Sequence, residues 1–346
     1  MEIDCRYRVT FDAGWDGGAV RLLLTGSRRT VLVAHTNADG DAVGAVTAMY
    51  AMLTRLHVGG TLTPVLPDGV PSDYDWMPCA TAVADARTVP DAMRRAIAEA
   101  DLVVGLDISG FGRTGALEDA LRTSKARKLL VDHHVEPDRE AFDMVVSEPD
   151  VSSTCELLYW LMRDAFGDEA FDRDAATCLY TGICTDTGTF SYSNDRPGLY
   201  LAATDLLCYG IDPMAVNRRI KNVFSQARLR FFGFAIAHRL TVYEEPQVAL
   251  MVLTAKDMSD AGVESHELTG LINEVMRLRA VDCGILVREE DGKVRLSLRS
   301  KERYDVNRLA AEMFGGGGHK RAAGATSTVS LEETIYIVKQ RLGLED

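Results

Sequence analysis

Residues 30–41 read TVLVAHTNADGD, an apolar run that ends in side chains able to bind a metal ion. The β-branched residues at its start predict a buried strand, and the Ala- and Met-rich residues 42–53 predict a packed helix. His35, Asp39 and Asp41 therefore lie where a strand passes to its helix, the edge at which open α/β sheets bind ligands. Imidazole and carboxylate groups suit Mn²⁺, Mg²⁺, Fe²⁺ or Zn²⁺. For this stretch alone a helix N-cap is the alternative, because Asp and Asn are common there.

The same pattern returns twice. Residues 102–109 (LVVGLDIS) carry Asp107 at the end of an apolar run, and residues 128–134 (KLLVDHH) end in Asp132, His133 and His134. Nearly continuous apolar strands separated by helices predict a doubly wound, mainly parallel α/β sheet. Because parallel strands end at one edge, we expect these side chains to gather there, joined by Asp186 from a predicted loop after helix 174–183.

The second half of the chain has shorter, more alternating strands. They are predicted at 239–243, 248–253, 283–288 and 294–299, with a helix at 266–279. This pattern predicts a smaller α+β domain with a mixed sheet. The basic, helical residues 214–234 are interpreted as a linker, so the predicted segments are 1–213, 214–234 and 235–346.

Four consecutive glycines, Gly315, Gly316, Gly317 and Gly318, precede His319 and Lys320. Such a run exposes backbone N–H groups and admits a ligand closely, as in anion-binding nests. A flexible linker is the alternative, but linkers extend with Ser and lack a closing His-Lys-Arg. The run therefore favours contact with a phosphate or oligonucleotide.

Composition restricts the class of protein. The 346 residues suggest about two domains, and the formal net charge is −13. Proteins that follow long nucleic acids are basic or carry a basic stripe, so a small substrate is favoured over a long nucleic-acid tract. No apolar window is long enough for a membrane span, and the N-terminus lacks a signal-peptide pattern. Seven Cys without a CxxC pair, including Cys155, Cys178, Cys184 and Cys208 in apolar surroundings, predict buried thiols and a cytoplasmic location.

The ordered motifs resemble a known family. His35-x3-Asp39-x-Asp41, Leu106-Asp107, Asp132-His133-His134 and Thr185-Asp186-Thr187-Gly188 resemble the four motifs of the DHH phosphoesterase superfamily. Gly315 to His319 with Ala322-Ala323-Gly324 resembles the signature of its DHH-associated C-terminal domain. The resemblance spans roughly residues 20–330 and is greatest to the bacterial nanoRNase and 3′-phosphoadenosine-5′-phosphate phosphatase subgroup. Ala38 departs from that subgroup, which often has Pro there, and this difference affects loop stiffness rather than the ligands.

The resemblance implies a site with two divalent cations, usually Mn²⁺, with Mg²⁺, Fe²⁺ and Co²⁺ as the other candidates. It assigns one ion to His35, Asp39 and Asp107 and the other to Asp41, Asp107, His133 and Asp186, with Asp107 bridging. Asp132 would orient a His from outside the ligand set. Asp107 and His134 would be catalytic, with His134 stabilising charge at the scissile phosphate or protonating the leaving oxygen. A purely structural histidine is the alternative for His134.

The resemblance also implies the roles of the domains and the substrate. Residues 1–213 would form the metal-binding catalytic domain, and residues 235–346 would bind substrate and close over the sheet edge. The predicted substrate contacts are Arg113, Arg299, Ser300, Gly315, Gly316, Gly317, Gly318 and His319. The implied reaction converts di- to pentanucleotides of RNA or DNA to 5′-mononucleotides, or 3′-phosphoadenosine 5′-phosphate to AMP. Linearised cyclic dinucleotides stay open as substrates, and a homodimer is a family-level expectation.

Two other functions are considered. A manganese-dependent inorganic pyrophosphatase shares the four N-terminal motifs but lacks the Gly-rich signature, so Gly315 to His319 argue against it. A non-catalytic nucleotide-binding protein would be expected to have lost metal ligands, and none is missing from the motifs.

Overall fold

The computed structural model of the protein describes residues 15–191, 195–221, 224–290 and 292–344. The chain forms two compact units, residues 1–223 and residues 224–346. The predicted linker 214–234 contributes one helix to each of them, Pro213–Lys221 to the first and Gln226–His238 to the second. In the described ranges, no helix combines the length and the apolar character that a membrane crossing requires.

The first unit is built on a six-stranded sheet in which every neighbouring pair of strands is parallel. Its strands are β1 (Arg29–Val33), β2 (Thr61–Leu66), β3 (Ala84–Asp85), β4 (Leu102–Leu106), β5 (Arg127–Asp132) and β6 (Met144–Ser147). All residues of β4 are buried, so both faces of the sheet are covered at its centre. The predicted parallel α/β sheet is confirmed, although the short edge strands β3 and β6 were not predicted.

The strand order β3-β2-β1-β4-β5-β6 places the candidate site. The chain moves from β1 outward to β3 and then returns to pair β4 with the other side of β1. The carboxyl ends of β1 and β4 flank this reversal, which is where open α/β sheets bind ligands. His35 follows β1 and Asp107 directly follows β4.

The helices of the first unit connect these strands and continue after them. They are α1 (Gly17–Gly26), α2 (Gly40–Leu56), α3 (Pro90–Glu99), α4 (Glu118–Thr123), α5 (Thr154–Phe166), α6 (Arg173–Asp186), α7 (Pro197–Cys208) and α8 (Pro213–Lys221). Cys155, Cys178 and Cys184 are buried as predicted, whereas Cys208 is exposed. The prediction for Cys208 was wrong because Cys208 ends α7 on its solvent side, next to the exposed Leu207.

The second unit contains the predicted mixed sheet. Its strands are β7 (Leu240–Tyr243), β8 (Val248–Leu253), β9 (Cys283–Glu290), β10 (Lys293–Ser300), β11 (Gly317–His319) and β12 (Ala322–Ser327). They lie in the order β11-β12-β10-β9-β8-β7, in which β8 and β9 are parallel and the other pairs antiparallel. Two apolar clusters form its core, one containing Met251 and Leu286 and the other containing Ile285 and Leu298.

The helices of the second unit differ in part from the predicted ones. They are α9 (Gln226–His238), α10 (Ala255–Ala261), α11 (Leu271–Val275), α12 (Val306–Phe314) and α13 (Leu331–Leu342). The single helix predicted at 266–279 is a 3₁₀ turn, Ser265–Leu268, followed by the short α11. Gly270 lies between them with φ +88°, a left-handed conformation that interrupts a continuous helix.

Asp257 in α10 makes a testable contribution to the stability of the second unit. Its carboxylate accepts hydrogen bonds from Arg239 Nε at 2.9 Å and Nη2 at 2.7 Å, and from the Thr254 N–H at 3.0 Å. The hydrogen bond from Arg239 outweighs the effect of burial and lowers the pKa of Asp257 to about 2. We expect Asp257→Ala to lower the free energy of unfolding by about 1–3 kcal/mol at neutral pH, measured by calorimetry.

The pH dependence follows from the direction of this shift. Because the folded pKa lies below the unfolded one, the stabilisation is present above about pH 4 and is lost as the pH falls toward 2. The difference between wild type and Asp257→Ala should therefore narrow below about pH 4, and a difference that does not change with pH would contradict this explanation. Asp260→Ala is the control, because the Asp260 pair with Lys256 is exposed to solvent and should contribute little to stability at any pH.

Candidate metal centre and active site

The side chains predicted as metal ligands meet at the carboxyl edge of the parallel sheet. Potential ligand atoms lie within 4.8 Å of one another in each of three groups, namely His35, Asp39 and Asp107; Asp41, His133 and Asp186; and Asp107, His133 and His134. The structure thus brings together all six predicted ligands, and it adds His134 to them. Their binding of metal remains a prediction.

Asp107 occupies the centre of this arrangement. Its carboxylate is 2% exposed; Oδ2 lies 3.4 Å from His35 Nε2, and Oδ1 lies 3.8 Å from His133 Nε2. The two oxygens therefore face different groups. The backbone has φ +59°, a left-handed conformation that Asp tolerates better than most side chains, and its N–H donates to the Val131 carbonyl at 3.0 Å. Burial alone would raise the pKa of Asp107, but the hydrogen bond with His35 and the neighbouring His133 hold it below its ordinary value.

His35 and Asp39 form the first group with Asp107. His35 is buried, and its Nδ1 lies 2.8 Å from the Thr36 carbonyl. A carbonyl only accepts, so Nδ1 carries a proton and Nε2 is the ring atom that faces the carboxylates and would ligate a metal. Asp39 is also the N-cap of α2, and its Oδ1 accepts from the backbone N–H groups of Asp41 and Ala42, both at 3.0 Å. The same Oδ1 lies 3.9 Å from His35 Nε2, so the capping role and the proposed ligand role coexist.

Asp41 is held by the start of α5. Its Oδ2 accepts the Thr154 N–H at 2.7 Å and its Oδ1 accepts the Cys155 N–H at 2.9 Å. Even so, burial and then repulsion by Asp107 raise the pKa of Asp41 to about 7. The two hydrogen bonds hold the Asp41 carboxylate in one orientation but do not offset its negative charge.

Asp186 is the last residue of α6, whereas the sequence predicted a loop. The helix continues past Ile183, and the Thr187 N–H donates to the Ile183 carbonyl at 3.1 Å. Asp186 Oδ2 lies 3.4 Å from His133 Nε2. Burial, followed by the charge of Asp41, raises the pKa of Asp186 well above its ordinary value.

Small residues allow Asp41 and Asp186 to approach. A Cβ at Gly40 would lie 2.4 Å from the Thr185 side chain, and a Cβ at Gly182 would lie 2.9 Å from Asp41 Oδ1. These glycines therefore permit the first turn of α2 to pack against the end of α6. A larger residue at either position would push the two carboxylates apart.

His133 and His134 follow β5 with different partners. Burial opposes protonation of His133, but Asp186 and Asp41 outweigh it and raise the pKa of His133 to about 9. His134 Nδ1 lies 2.8 Å from Asp132 Oδ1, and its Nε2 lies 3.1 Å from Arg113 Nη1. Because arginine only donates, Nε2 must accept and the proton lies on Nδ1. Asp132 therefore orients His134. The sequence predicted that Asp132 orients a histidine but did not specify which one.

The donor set fits divalent cations. Four carboxylates and the ring nitrogens of His35 and His133 converge, and this mixture of oxygen and imidazole donors suits Mn²⁺, Mg²⁺ or Fe²⁺. Burial first, and then repulsion between neighbouring carboxylates, raises the pKa values of Asp41 and Asp186, and a bound cation would offset both effects. The buried Asp132 Oδ2 is a further polar atom without a hydrogen-bond partner among the described residues.

Comparison with known proteins identifies the family. Residues 29–183 match the DHH family N-terminal domain, and residues 246–343 match the DHHA1 domain. The chain belongs to the DHH phosphoesterase family. This membership confirms the resemblance inferred from the motifs.

Relatives extend over most of the chain. It is 28% identical over 312 residues to the bifunctional oligoribonuclease and PAP phosphatase NrnA of Thermus thermophilus, covering 85% of this chain and 83% of the relative. It is 26% identical over 235 residues to the protein of the same name from Bacillus subtilis, covering 66% and 70%. The crystal structure of an exopolyphosphatase-related protein from Bacteroides fragilis superposes with a TM-score of 0.90 at 29% identity, covering 94% and 95%.

The glycine run of the DHHA1 domain ends a helix and forms an edge strand. Gly315 ends α12, and the N–H groups of Gly315 and Gly316 donate to the carbonyls of Ala311 and Ala310. Gly317–His319 then form β11, the edge strand beside β12. Two of the four N–H groups that the sequence predicted to be exposed therefore cap a helix instead.

The other predicted DHHA1 contacts also have local partners. Arg299 Nη1 donates to the Leu298 carbonyl at 2.9 Å, and Ser300 Oγ donates to the Tyr304 carbonyl at 2.7 Å. His319 is exposed on β11. Substrate binding by Arg299, Ser300, the glycines and His319 stays a prediction.

Sequence reasoning missed Thr154 as a hydrogen-bond partner of the candidate ligands. Residues 152–156 (SSTCE) are typical of a helix start, and α5 begins there with Ser153 as its N-cap. Thr154 nevertheless donates to both Asp41 and Asp107. One hydroxyl residue, Ser153, is enough to cap α5. The additional hydroxyl residue next to it, Thr154, was the signal in the sequence that could have indicated another role.

Proposed function

We propose that this DHH-family chain is a metal-dependent phosphoesterase that hydrolyses short oligonucleotides to 5′-mononucleotides, 3′-phosphoadenosine 5′-phosphate to AMP, or both. The observation that carries the proposal is the position of Asp107, whose two carboxylate oxygens face His35 on one side and His133 on the other. The printed names of the NrnA relatives support the choice of substrates. A net charge of −13 favours small substrates over long nucleic acids.

Two ions, preferably Mn²⁺, are proposed at this site. His35, Asp39 and Asp107 would hold one, and Asp41, Asp107, His133 and Asp186 would hold the other. When bound, such ions lower the pKa of water and neutralise charge on the attacking and leaving oxygens of a phosphoester.

The chain's own residues would orient the substrate phosphate. Asp132 holds the Nδ1 proton of His134, so that His134 Nε2 accepts from Arg113. The guanidinium is thereby directed by a hydrogen bond at the edge of the ligand cluster, where it can donate to a phosphate oxygen. Two roles were considered for His134, namely stabilising charge at the phosphate and donating a proton to the leaving oxygen. This arrangement favours the first role, which His134 would fill by orienting Arg113, because its Nε2 accepts from Arg113 and carries no proton to donate.

The rival functions have less support. The match of residues 246–343 to the DHHA1 domain disfavours the pyrophosphatase, whose C-terminal domain is of another kind. A non-catalytic binding protein would not need the complete ligand cluster. The homodimer and the cytoplasmic location stay predictions.

Product analysis tests the function. The purified chain is incubated with 5′-pApA, 3′-phosphoadenosine 5′-phosphate or pyrophosphate, each with Mn²⁺ and with EDTA, and the products are separated by chromatography. We expect AMP from at least one nucleotide with Mn²⁺, none with EDTA, and recovery when Mn²⁺ is restored, because the carboxylate cluster alone repels a phosphate. Phosphate from pyrophosphate alone would replace the proposal with the pyrophosphatase, and no product from any substrate would favour the binding protein.

A further inference from the structure

Thr154 contacts one carboxylate from each of the two proposed ligand groups. It is the first residue of α5 and is completely buried. Its backbone N–H donates to Asp41 Oδ2 at 2.7 Å, and its hydroxyl donates to Asp107 Oδ1 at 2.9 Å. A single residue thus joins a carboxylate of α2 to the carboxylate that follows β4.

The hydroxyl contact bears on the orientation of Asp107. Oδ2 faces His35 Nε2, and Oδ1 faces His133 Nε2. The orientation of the carboxylate plane therefore decides whether its two oxygens can ligate a cation in each group. The backbone hydrogen bond of Asp107 to Val131 fixes the main chain but leaves the side-chain torsion free. A donor at Oδ1 restricts that torsion and leaves a second lone pair on Oδ1 for another partner.

Helix capping does not account for Thr154. The N-cap of α5 is Ser153, whose Oγ accepts the Glu156 N–H at 3.0 Å. The Thr154 hydroxyl is directed instead at a carboxylate 47 residues away in sequence. Buried donors of this kind, outside the ligand set, commonly hold metal-binding carboxylates in place.

We propose that Thr154 is a positioning residue of the metal centre. It fixes the orientation of Asp107 relative to Asp41, so that both carboxylates can ligate divalent cations at the same time. This inference rests on the proposed metal-dependent function. It assigns the hydroxyl to metal affinity rather than to folding.

Calorimetric titration of the metal-free full chain with Mn²⁺ tests the proposal without any substrate. Thr154→Val keeps the shape and the backbone N–H but removes the hydroxyl, and we expect it to lower Mn²⁺ affinity by about 10–100-fold. Thr154→Ser restores the donor and should bind within about threefold of wild type. Thr47→Val is the matched control, because Thr47 is equally buried, and its hydroxyl donates to the Val43 carbonyl at 2.7 Å and the Gly44 carbonyl at 3.3 Å and contacts Cys178. None of these three partners is a proposed metal ligand.

Thermal unfolding of the metal-free variants separates positioning from folding, and Thr154→Ala serves as a second hydroxyl deletion if the valine variant does not fold. The proposal is overturned if a folded deletion variant binds Mn²⁺ as wild type does, if Thr154→Ser binds as weakly as the deletion, or if Thr47→Val loses as much affinity. A wild-type chain that binds no Mn²⁺ would instead overturn the proposed function itself.

Discussion

Asp107→Asn is expected to lower kcat/KM by about 10³-fold or more for whichever phosphoester the wild type hydrolyses. The substitution removes one negative charge from Asp107, which among the described residues is the only carboxylate in two of the three ligand groups. Metal-assisted charge stabilisation supplies several kcal/mol. Asn adopts the left-handed backbone of this position, φ +59°, nearly as readily as Asp, so the fold should persist. Steady-state rates with Mn²⁺ and circular dichroism of the same preparation measure both effects.

Asp101 provides the matched control, because it directly precedes the first residue of β4 whereas Asp107 directly follows the last. Asp101 accepts the backbone N–H groups of Arg28 and Arg29, both at 3.0 Å, and so it stabilises the start of the sheet. Asp101→Asn should cost about 1 kcal/mol of stability and leave activity within about twofold of wild type. A folded Asp107→Asn protein with more than about a tenth of wild-type activity would remove Asp107 from the mechanism.

The sequence predicted most of this site because the parallel sheet is strongly encoded. Apolar runs that end in His35, Asp107 and His133 could be recognised locally, and the rule that parallel strands share a carboxyl edge brought them together. Asp186 was included correctly in the cluster but placed in a loop. Helix ends are weakly encoded, and no glycine or proline interrupts the chain between Ile183 and Asp186.

The contacts that orient the ligands could not be predicted. The hydrogen bond from Thr154 to Asp107 and the one from Arg113 to His134 join segments that only the folded chain brings together. The local structure of the glycine run could not be predicted for a different reason. Gly315 is a C-cap with φ +63°, and a Cβ at Gly316 would lie 2.3 Å from the Gly324 carbonyl oxygen, so both positions require glycine for reasons that composition does not distinguish from a nest.

Arg113→Ala is expected to lower kcat/KM by about 10²–10³-fold while leaving Mn²⁺ affinity within about threefold. The reason is the loss of one oriented donor to the substrate phosphate. The Arg113 carbonyl accepts the Thr36 N–H at 2.8 Å, a backbone contact that survives the substitution and keeps the loop beside His35. Arg113→Lys should recover only part of the rate, since an ammonium lacks the planar fork of a guanidinium. Rates and Mn²⁺ titration on the same preparations measure the two quantities.

Arg122→Ala is the control for loss of an arginine nearby in sequence. Arg122 pairs on the surface with Glu118 at 2.8 Å and Asp138 at 3.4 Å, so its removal should change the rate by less than about twofold. Full activity of Arg113→Ala would exclude a substrate contact. A large loss of Mn²⁺ affinity would mean that Arg113 supports the ligands instead.

Combining Arg113→Ala with His134→Ala decides what His134 does. If His134 acts by directing the guanidinium, the double variant should lose no more rate than the more damaged single variant, because both substitutions break the same contact. If the two losses multiply, His134 acts on the substrate independently, as a proton donor would. The Nε2 lone pair that accepts from Arg113 cannot also carry a proton for the leaving oxygen, so the non-additive result is the expected one.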